Sequence, residues 1–240
     1  MKKIAYAKQQ GSYHKAKNIP CQDYVSGQKT ADACVIALAD GAGSYERAEL
    51  AAKAAVDIAV NSLSSDFDYW YYMDMESFRE EFISMCRDAV WSAGRELDAA
   101  CTLLVYAVSS DERDIAIHIG DGYIFGRKYN DELTVVSYPE NGEEPNQTFF
   151  LSDFNAPQHL HVVKNEFTDY SGVMLCSDGA SAALIDRSND RLATAIGKLI
   201  STVQIMDEKT AAEMMDSALD TMFRVHSPDD MSIGIMAEEM

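Results

Sequence analysis

The sequence has few basic residues and lacks the common phosphate-binding loops. Lys and Arg number 20 against 39 Asp and Glu, which gives the 240-residue chain a formal charge of −19. An acidic surface repels phosphate backbones, so we expect no nucleic-acid partner. Neither G-x-x-x-x-G-K-[ST] nor G-x-G-x-x-G occurs, which argues against a nucleotide held by a glycine-rich loop.

Long apolar segments and paired cysteine motifs are also absent. No apolar run approaches the roughly 18–20 residues that span a membrane, and no apolar stretch follows Lys2 and Lys3 as in a signal peptide. The five cysteines are scattered, odd in number and without C-x-x-C, which is typical of reduced thiols in a reducing compartment. We therefore expect a cytoplasmic protein with no membrane partner, and we expect it to be a monomer.

Apolar residues make up 47% of the chain, enough for a substantial core. Their periodicity predicts strands at 33–39, 101–109, 114–119, 122–128, 133–137, 173–177 and over MSIGIM near the C-terminus. It predicts helices at 46–61 and 76–98, and a helical region at 180–225 with breaks near 186–190 and 207. This order indicates an α+β fold, with sheets covered by helices in one domain, 1–240. The segment near 139–170 is predicted to form a loop or small flap.

Two other groups of residues have an ordinary structural interpretation. The aromatic stretch at 66–75 could dock a partner, but we favour packing at the end of the helix pair that it connects. His118 alternates with isoleucines, which favours packing within a sheet over metal binding. His159 and His161 are two apart, and two histidines alone make a poor metal site.

Aspartate recurs where predicted strands begin or end. Asp40 follows VIALA, Asp121 follows IAIHIG and Asp178 follows VMLCS, each with glycine after it, while Asp229 and Asp230 precede MSIGIM. Asp and Gly are also ordinary turn residues, but four occurrences favour a cluster. Clustered carboxylates need a cation, and Mg²⁺ or Mn²⁺ prefers oxygen ligands. Two such metals would activate a bridging water, which suits phosphoryl chemistry.

Six motifs occur in an order that resembles a known family. They are PCQDY (20–24), ALADGAGS (37–44), CTLLVYAV (101–108), IGDGYIFGR (119–127), LCSDGAS (175–181) and DDMSIGI (229–235). The ordered set resembles the metal-dependent type 2C serine/threonine protein phosphatases in their compact bacterial form. The resemblance implies two packed antiparallel β-sheets flanked by helices, a four-layer α-β-β-α sandwich with the metals at one edge.

The resemblance also implies a centre of two Mn²⁺ or Mg²⁺ ions with carboxylate ligands. Asp40 would bridge both ions, and the carbonyl oxygen of Gly41 would bind one of them. Asp178 and Asp229 would ligate the other ion, with Asp229 preferred to Asp230. The implied catalytic residues are therefore Asp40, Asp178 and Asp229.

Further ligands and the reaction follow from the same resemblance. Asp121, with Asp178, would hold a third, weaker metal, and Asp23 would act through metal-bound water. A metal-bridging water would attack phosphorus in line and the serine or threonine oxygen would leave, with no phosphoenzyme. The metals would stabilise most of the charge on the phosphoryl oxygens.

The chain departs from the family pattern at three places. Gln22 stands where many relatives have Glu, so one metal would be held more weakly. Many relatives have an upstream arginine that clamps the phosphate, whereas this chain offers only His14, Lys15 and Lys17. Ala42 stands where eukaryotic relatives have a histidine that acts as general acid, so water or another residue must protonate the leaving oxygen.

Three functions are compatible with these residues. The leading hypothesis is a Mn²⁺- or Mg²⁺-dependent phosphatase that acts on phosphorylated proteins and reverses a kinase. The alternative is a regulatory or binding module with the phosphatase fold and little turnover, which the departures at Gln22 and the missing arginine favour. The third is a hydrolase of small phosphate esters.

Overall fold

Two antiparallel five-stranded sheets form the centre of this computed structural model, which describes residues 1–94, 98–140, 148–186 and 191–240. The first sheet runs, edge to edge, through β1 (Lys2–Gln9), β12 (Met231–Glu238), β9 (Tyr170–Cys176), β6 (Tyr123–Lys128) and β7 (Leu133–Ser137). The second runs through β2 (Asp23–Lys29), β3 (Ala33–Asp40), β4 (Leu103–Ser109), β5 (Asp114–Ile119) and β8 (His161–Asn165). A separate hairpin pairs β10 (Ile185–Asp186) with β11 (Arg191–Leu192).

Helices pack on the outer face of each sheet. The second sheet is covered by α2 (Ala48–Ser65), α3 (Phe67–Tyr72) and α4 (Met75–Ala93). The first is covered by α7 (Thr194–Ile205), α8 (Glu208–Ala218) and a π-helical turn, Leu219–Phe223. Three short helices lie in connections: α1 (Ser12–Lys17), α5 (Ala156–His159) and α6 (Asp178–Ser181).

Strand β3 shows how the layers are held together. Val35 and Ala37 point into the apolar layer beneath the helices, while Ile36 and Leu38 point into the layer between the sheets. This alternation follows from the two-residue period of a strand. All four side chains are fully buried, and burial of a side chain the size of Ile or Leu contributes about 1.5–3 kcal/mol. Because both faces of β3 are buried in apolar layers, its sequence is one continuous hydrophobic run.

Alanines on helix α2 allow it to lie close to the second sheet. Ala51, Ala52, Ala55 and Ala59 are fully buried on the face that packs against the strands. The first turn of the helix also packs on the end of β3, where a Cβ added to Gly41 would come within 2.7 Å of the Ala48 carbonyl oxygen. The glycine therefore permits the close approach that fixes the loop after β3.

The predicted fold class is confirmed: two antiparallel sheets lie between layers of helices. The buried strands and both long helices occur where they were predicted. The predicted helix at 76–98 ends at Ala93, and residues 95–97 lie outside the described chain. The predicted break near 186–190 coincides with the hairpin of β10 and β11, although 187–190 also lie outside the described residues.

Strands β1, β2 and β8 and the short helix α1 are present but were not predicted from the sequence. The three strands are edge strands of their sheets. An edge strand buries little on its outer side, and all three contain charged or polar residues that conceal the alternating pattern. In β8 the side chains alternate between exposed and half-buried positions.

The segment 139–170, predicted as a loop or flap, falls partly outside the described residues because 141–147 are not included. Its described part contains α5 and β8, and β8 pairs with β5. The aromatic stretch forms α3, where Trp70 packs edge-to-face on Phe78 at 5.2 Å and on Phe82 at 5.4 Å between ring centroids. This packing joins α3 to α4, as favoured from the sequence.

The three histidines considered in the sequence make local contacts. His118 is buried in β5 with Nδ1 2.8 Å from the Ser137 hydroxyl, and burial lowers its pKa to about 3. His159 Nδ1 and His161 Nε2 lie 2.9 and 2.6 Å from the two carboxylate oxygens of Glu140. All three therefore have contacts that stabilise local structure.

The remaining expectations concern membranes and thiols. Over the ranges that the structure describes, we find no helix with both the length and the apolar character needed to cross a membrane. All five cysteines are free. Cys21 lies close to Asp23 in the chain, and burial raises the pKa of its thiol to about 12, which makes it a poor nucleophile.

Candidate functional site

The aspartates identified in the sequence lie at neighbouring strand ends. Asp40 is the last residue of β3 and pairs in register with Asp23, the first residue of β2. Asp178 follows β9 and Asp229 precedes β12, and these two strands are antiparallel neighbours. Asp121 follows β5. The topology therefore brings five carboxylates from distant parts of the chain to one edge of the sandwich.

The electrostatics of Asp40 show how close these groups are. Its pKa is raised well above the usual range, first by burial and then by the negative charges of Asp23, Asp178, Asp121 and Asp229. Burial and the charges of Asp121 and Asp229 also raise the pKa of Asp178 to about 6, while a hydrogen bond with Asp40 works in the opposite direction. The cluster therefore accumulates more negative charge than its surroundings compensate.

Asp23 is the most deeply buried member of the cluster. Its side chain is fully buried, and Oδ2 accepts a hydrogen bond from the Ser232 hydroxyl at 2.6 Å. Oδ1 has no hydrogen-bond partner in the described chain. Burial raises the pKa of Asp23 to about 7, although the Ser232 hydrogen bond opposes the increase.

Threonine 102 fixes the backbone at Asp40. The Asp40 N–H donates to Thr102 Oγ1 at 3.0 Å, and the Thr102 N–H donates to the Asp40 carbonyl oxygen at 2.9 Å. Thr102 also packs against Gly120, which adopts φ = 115° immediately before Asp121. A side chain at Gly120 would be strained in this conformation. One threonine thus positions two of the aspartates.

Asp229 and Asp230 have different environments. Asp229 is exposed, and Asp230 is buried at 2% exposure. The Asp230 carboxylate accepts hydrogen bonds from the N–H groups of Gly11 and Gln22 and lies 2.8 Å from His14 Nδ1. Of the two carboxylates, only that of Asp229 is therefore exposed to solvent, and its assignment as a metal ligand stays a prediction.

A cleft of about 360 Å³ opens beside the cluster. It is lined by Tyr13, His14, Gln22, Asp40, Gly41, Ala42, Gly43, Thr102, Asp121, Phe150, Pro228 and Asp229. Its described lining contains three carboxylates but no Lys or Arg. Of the three predicted phosphate contacts, His14 lines the cleft, whereas Lys15 and Lys17 are exposed on α1.

The carboxylate and amide oxygens of the site are suitable ligands for hard divalent cations, although the side chains as positioned do not enclose one. Across the described ranges, no three His, Cys, Asp or Glu side chains form a group that could hold a metal as they stand. Two buried acceptors, Gln22 Oε1 and Asp23 Oδ1, nevertheless have no hydrogen-bond partner in the described residues. All-oxygen ligands with excess negative charge suit Mg²⁺ or Mn²⁺.

The residues that support the aspartates could not be predicted from the sequence. Thr102, Ser177 and Ser232 all belong to the quoted motifs, but nothing in those motifs indicated that their hydroxyls hold the site together. Ser177 Oγ accepts a hydrogen bond from the Ser232 N–H at 3.0 Å, which joins the ends of β9 and β12. The pairing of His14 with Asp230 spans 216 positions and has no local signal.

Comparisons with known proteins identify a family and a fold. The family described as protein phosphatase 2C matches residues 10–224. The sequence matches none of the curated proteins with which it was compared. Among solved structures, a serine/threonine phosphatase of S. agalactiae is 16% identical, with both chains covered completely and a TM-score of 0.66.

Two further structures share the fold. The Mycobacterium tuberculosis serine/threonine phosphatase PstP/Ppp is 15% identical, with 100% of this chain and 99% of that chain covered and a TM-score of 0.59. RsbX in complex with magnesium is 13% identical, with coverage of 98% and 94% and a TM-score of 0.60. These identities show similarity of fold alone, whereas the family match covers most of the sequence. The chain belongs to the protein phosphatase 2C family.

Proposed function

We propose that the protein is a Mn²⁺- or Mg²⁺-dependent serine/threonine phosphoprotein phosphatase. The observation that carries this proposal is the charge of the cleft. Three carboxylates line it, and its described lining has no Lys or Arg. A phosphate dianion would be repelled from such a cleft unless cations were bound there. Bound metal ions would provide the positive charge that a phosphorylated substrate requires.

The residues that would hold the metals are the predicted ones. Asp40 and the Gly41 carbonyl would bind one ion, and Asp40, Asp178 and Asp229 the other, while Asp121 with Asp178 would hold a weaker third. Asp23 would act through metal-bound water. The raised pKa values of Asp40, Asp178 and Asp23 support this assignment because each reflects uncompensated negative charge. The neighbouring RsbX structure is a magnesium complex.

The bound ions would neutralise the phosphate and activate water. The chain itself supplies orientation. Two hydrogen bonds with Thr102, one accepted by its hydroxyl and one donated by its N–H, hold the backbone of Asp40, and the Ser232 hydroxyl donates to Asp23. Water adds to phosphorus while the bond from phosphorus to the serine or threonine oxygen breaks. The leaving oxygen takes the electron pair and must receive a proton.

The proposed substrate is a phosphorylated protein, and the proposed counterpart is a protein kinase. A phosphoserine or phosphothreonine side chain is short, so its protein must approach the mouth of the cleft. A monomeric state and a cytoplasmic location remain predictions from the sequence.

The alternative is a phosphatase-fold module that binds phosphoproteins or a kinase with little turnover. Two observations favour it. Gln22 is a neutral side chain in the cleft, and no arginine lies in the described lining to clamp a phosphate. Against it, a binding module has no need to bury a carboxylate such as Asp23 with an unpartnered oxygen.

The proposal is tested by hydrolysis of a phosphothreonine peptide, p-nitrophenyl phosphate and free phosphothreonine in EDTA, Mg²⁺ or Mn²⁺. The comparison includes Asp40→Asn, Asp178→Asn and, as a matched control, Asp57→Asn on the outer helix α2. We expect metal-dependent turnover that falls at least about 10³-fold in the first two variants and is unchanged in the control. A folded wild-type protein without turnover in any metal would favour the binding module. A preference for free phosphothreonine over the peptide would favour a small-ester hydrolase.

A further inference from the structure

His14 and Asp230 form a buried pair beside the carboxylate cluster. His14 is 6% exposed, and its Nδ1 lies 2.8 Å from Asp230 Oδ2. The same carboxylate accepts the N–H of Gly11 at 2.7 Å and of Gln22 at 2.6 Å. These contacts fix Asp230 in one orientation. The imidazole is therefore held with Nδ1 as the hydrogen-bond donor to a carboxylate, which leaves Nε2 free to carry a second proton.

The other ring nitrogen of His14 faces the cleft. His14 lines the cleft together with Gly43 and Ala42. A Cβ added to Gly43 would lie 4.0 Å from His14 Nε2 and 3.6 Å from Gln22 Oε1. Nε2 thus points away from Asp230 and toward the space that the substrate would enter.

The leaving oxygen of a phosphoserine or phosphothreonine needs a proton donor, because a free alkoxide is a strong base. Apart from the carboxyl groups, the described lining offers three side chains with an O–H or ring N–H: Tyr13, His14 and Thr102. The Thr102 hydroxyl accepts the Asp40 N–H. The Tyr13 side chain is 53% exposed, and its hydroxyl accepts a hydrogen bond from Lys17. His14 is the one that is both buried and oriented by a carboxylate.

We propose, on the basis of the function proposed above, that His14 is the acid that protonates the leaving oxygen and that Asp230 is its positioning residue. Water oxygen bonds to phosphorus, and the bond from phosphorus to the substrate oxygen breaks with its electron pair on that oxygen. The Nε2 proton of the imidazolium moves to this oxygen and gives the alcohol. His14 becomes neutral, and the proton released by the attacking water restores its charge. The Asp230 carboxylate orients the ring throughout and stabilises its charged form before the proton is transferred.

The test depends on the basicity of the leaving group. p-Nitrophenolate is a weak base that leaves without a proton, whereas the threonine alkoxide requires one. In His14→Ala we expect kcat for a phosphothreonine peptide to fall about 10²-fold or more, the usual contribution of general acid catalysis, and kcat for p-nitrophenyl phosphate to change less than about threefold. His226→Ala, the same substitution at an exposed histidine, is the control. Thermal unfolding of each variant verifies that it is folded.

The positioning role is tested with Asp230→Asn, which keeps an acceptor oxygen but removes the negative charge. We expect a selective loss of about 10-fold or more with the peptide, because an amide no longer stabilises the imidazolium. Equal losses with both substrates in His14→Ala would assign His14 to phosphate binding or to folding and would overturn the proposed acid. An unchanged kcat would also overturn it. A wild-type protein inactive on both substrates would instead overturn the proposed function and this inference with it.

Discussion

Asp229 and Asp230 are adjacent in the chain but lie in opposite environments. Asp229 is exposed at the cleft, and its charge raises the pKa of Asp40. Asp230 is buried and receives hydrogen bonds from the N-terminal segment. The Asp229 carboxylate is available to a cation, while the Asp230 carboxylate joins residues 11–22 to the start of β12. Their removal should therefore have different effects.

Asp230→Ala should destabilise the protein, and Asp229→Ala should not. Without the Asp230 carboxylate, the buried N–H groups of Gly11 and Gln22 lose their acceptor, at about 1–3 kcal/mol each. For Asp230→Ala in EDTA we expect the free energy of unfolding to fall by about 3 kcal/mol. For Asp229→Ala we expect a change of less than about 1 kcal/mol, because this substitution removes a repulsive charge. Urea denaturation measures both values.

Metal-dependent turnover should be lost in Asp229→Ala, and an Asp229→Ala protein with full turnover would exclude Asp229 as a metal ligand.

Most of the strands that could be predicted from the sequence lie in the middle of a sheet, and the edge strand β7 was predicted as well. β3, β4, β9 and β12 have neighbours on both sides and apolar residues on both faces, so they appear as continuous apolar runs. The edge strands β1, β2 and β8 bury less, and their charged residues resemble those of loops. The pattern of hydrophobicity therefore identifies the interior strands of the two five-stranded sheets but only one of their four edge strands, β7.

Asp40, Asp121, Asp178 and Asp229 could be predicted individually because each lies at or next to the end of a buried strand, whereas Asp23, at the start of the edge strand β2, was named only through the resemblance. Their convergence depends on which strands are neighbours, and this required the resemblance. The pairing of His14 with Asp230 could not be predicted, since the two residues belong to opposite ends of the chain and neither lies in a repeated pattern. The inward orientation of Asp230 likewise depends on the loop conformation before β12.

Thr102→Val should weaken the site while preserving the shape of the side chain. Valine cannot accept the Asp40 N–H, which Thr102 Oγ1 now accepts at 3.0 Å. We expect a loss of about 1–3 kcal/mol in the free energy of unfolding, together with weaker activation of turnover by Mn²⁺. Thr202→Val, at a partly exposed position on α7, is the control and should change stability by less than about 0.5 kcal/mol. If both variants bound Mn²⁺ equally well, Thr102 would have no part in positioning Asp40.

Gly179→Ala should distort the loop that carries Asp229 and Asp230. A Cβ at Gly179 would overlap the carbonyl oxygen of Asp230, so the loop or α6 must move, at about 1–3 kcal/mol. We expect a lower melting temperature and a smaller increase of that temperature on addition of Mn²⁺. Gly197→Ala in α7 is the control, because the added methyl would lie no closer than 3.6 Å to Leu133. This control should stabilise the protein by about 0.5–1 kcal/mol, and the opposite order of stabilities would contradict the packing described here.

Asp23→Asn should remove a pH-dependent destabilisation of the metal-free protein. Burial raises the pKa of Asp23 from 3.8 to about 7. Between these pH values the folded state keeps a proton that the unfolded chain releases, so the stability of the wild type falls as pH rises. The measured quantity is the free energy of unfolding of Asp23→Asn minus that of the wild type, both in EDTA. We expect this difference to increase from pH 4 to pH 7 by an amount on the order of a few kcal/mol. Above pH 7 it should stay constant. Asp57→Asn, on the outer surface, should show no such trend. A difference between Asp23→Asn and wild type that stays constant across this range would mean that Asp23 is ionised throughout it in the folded protein.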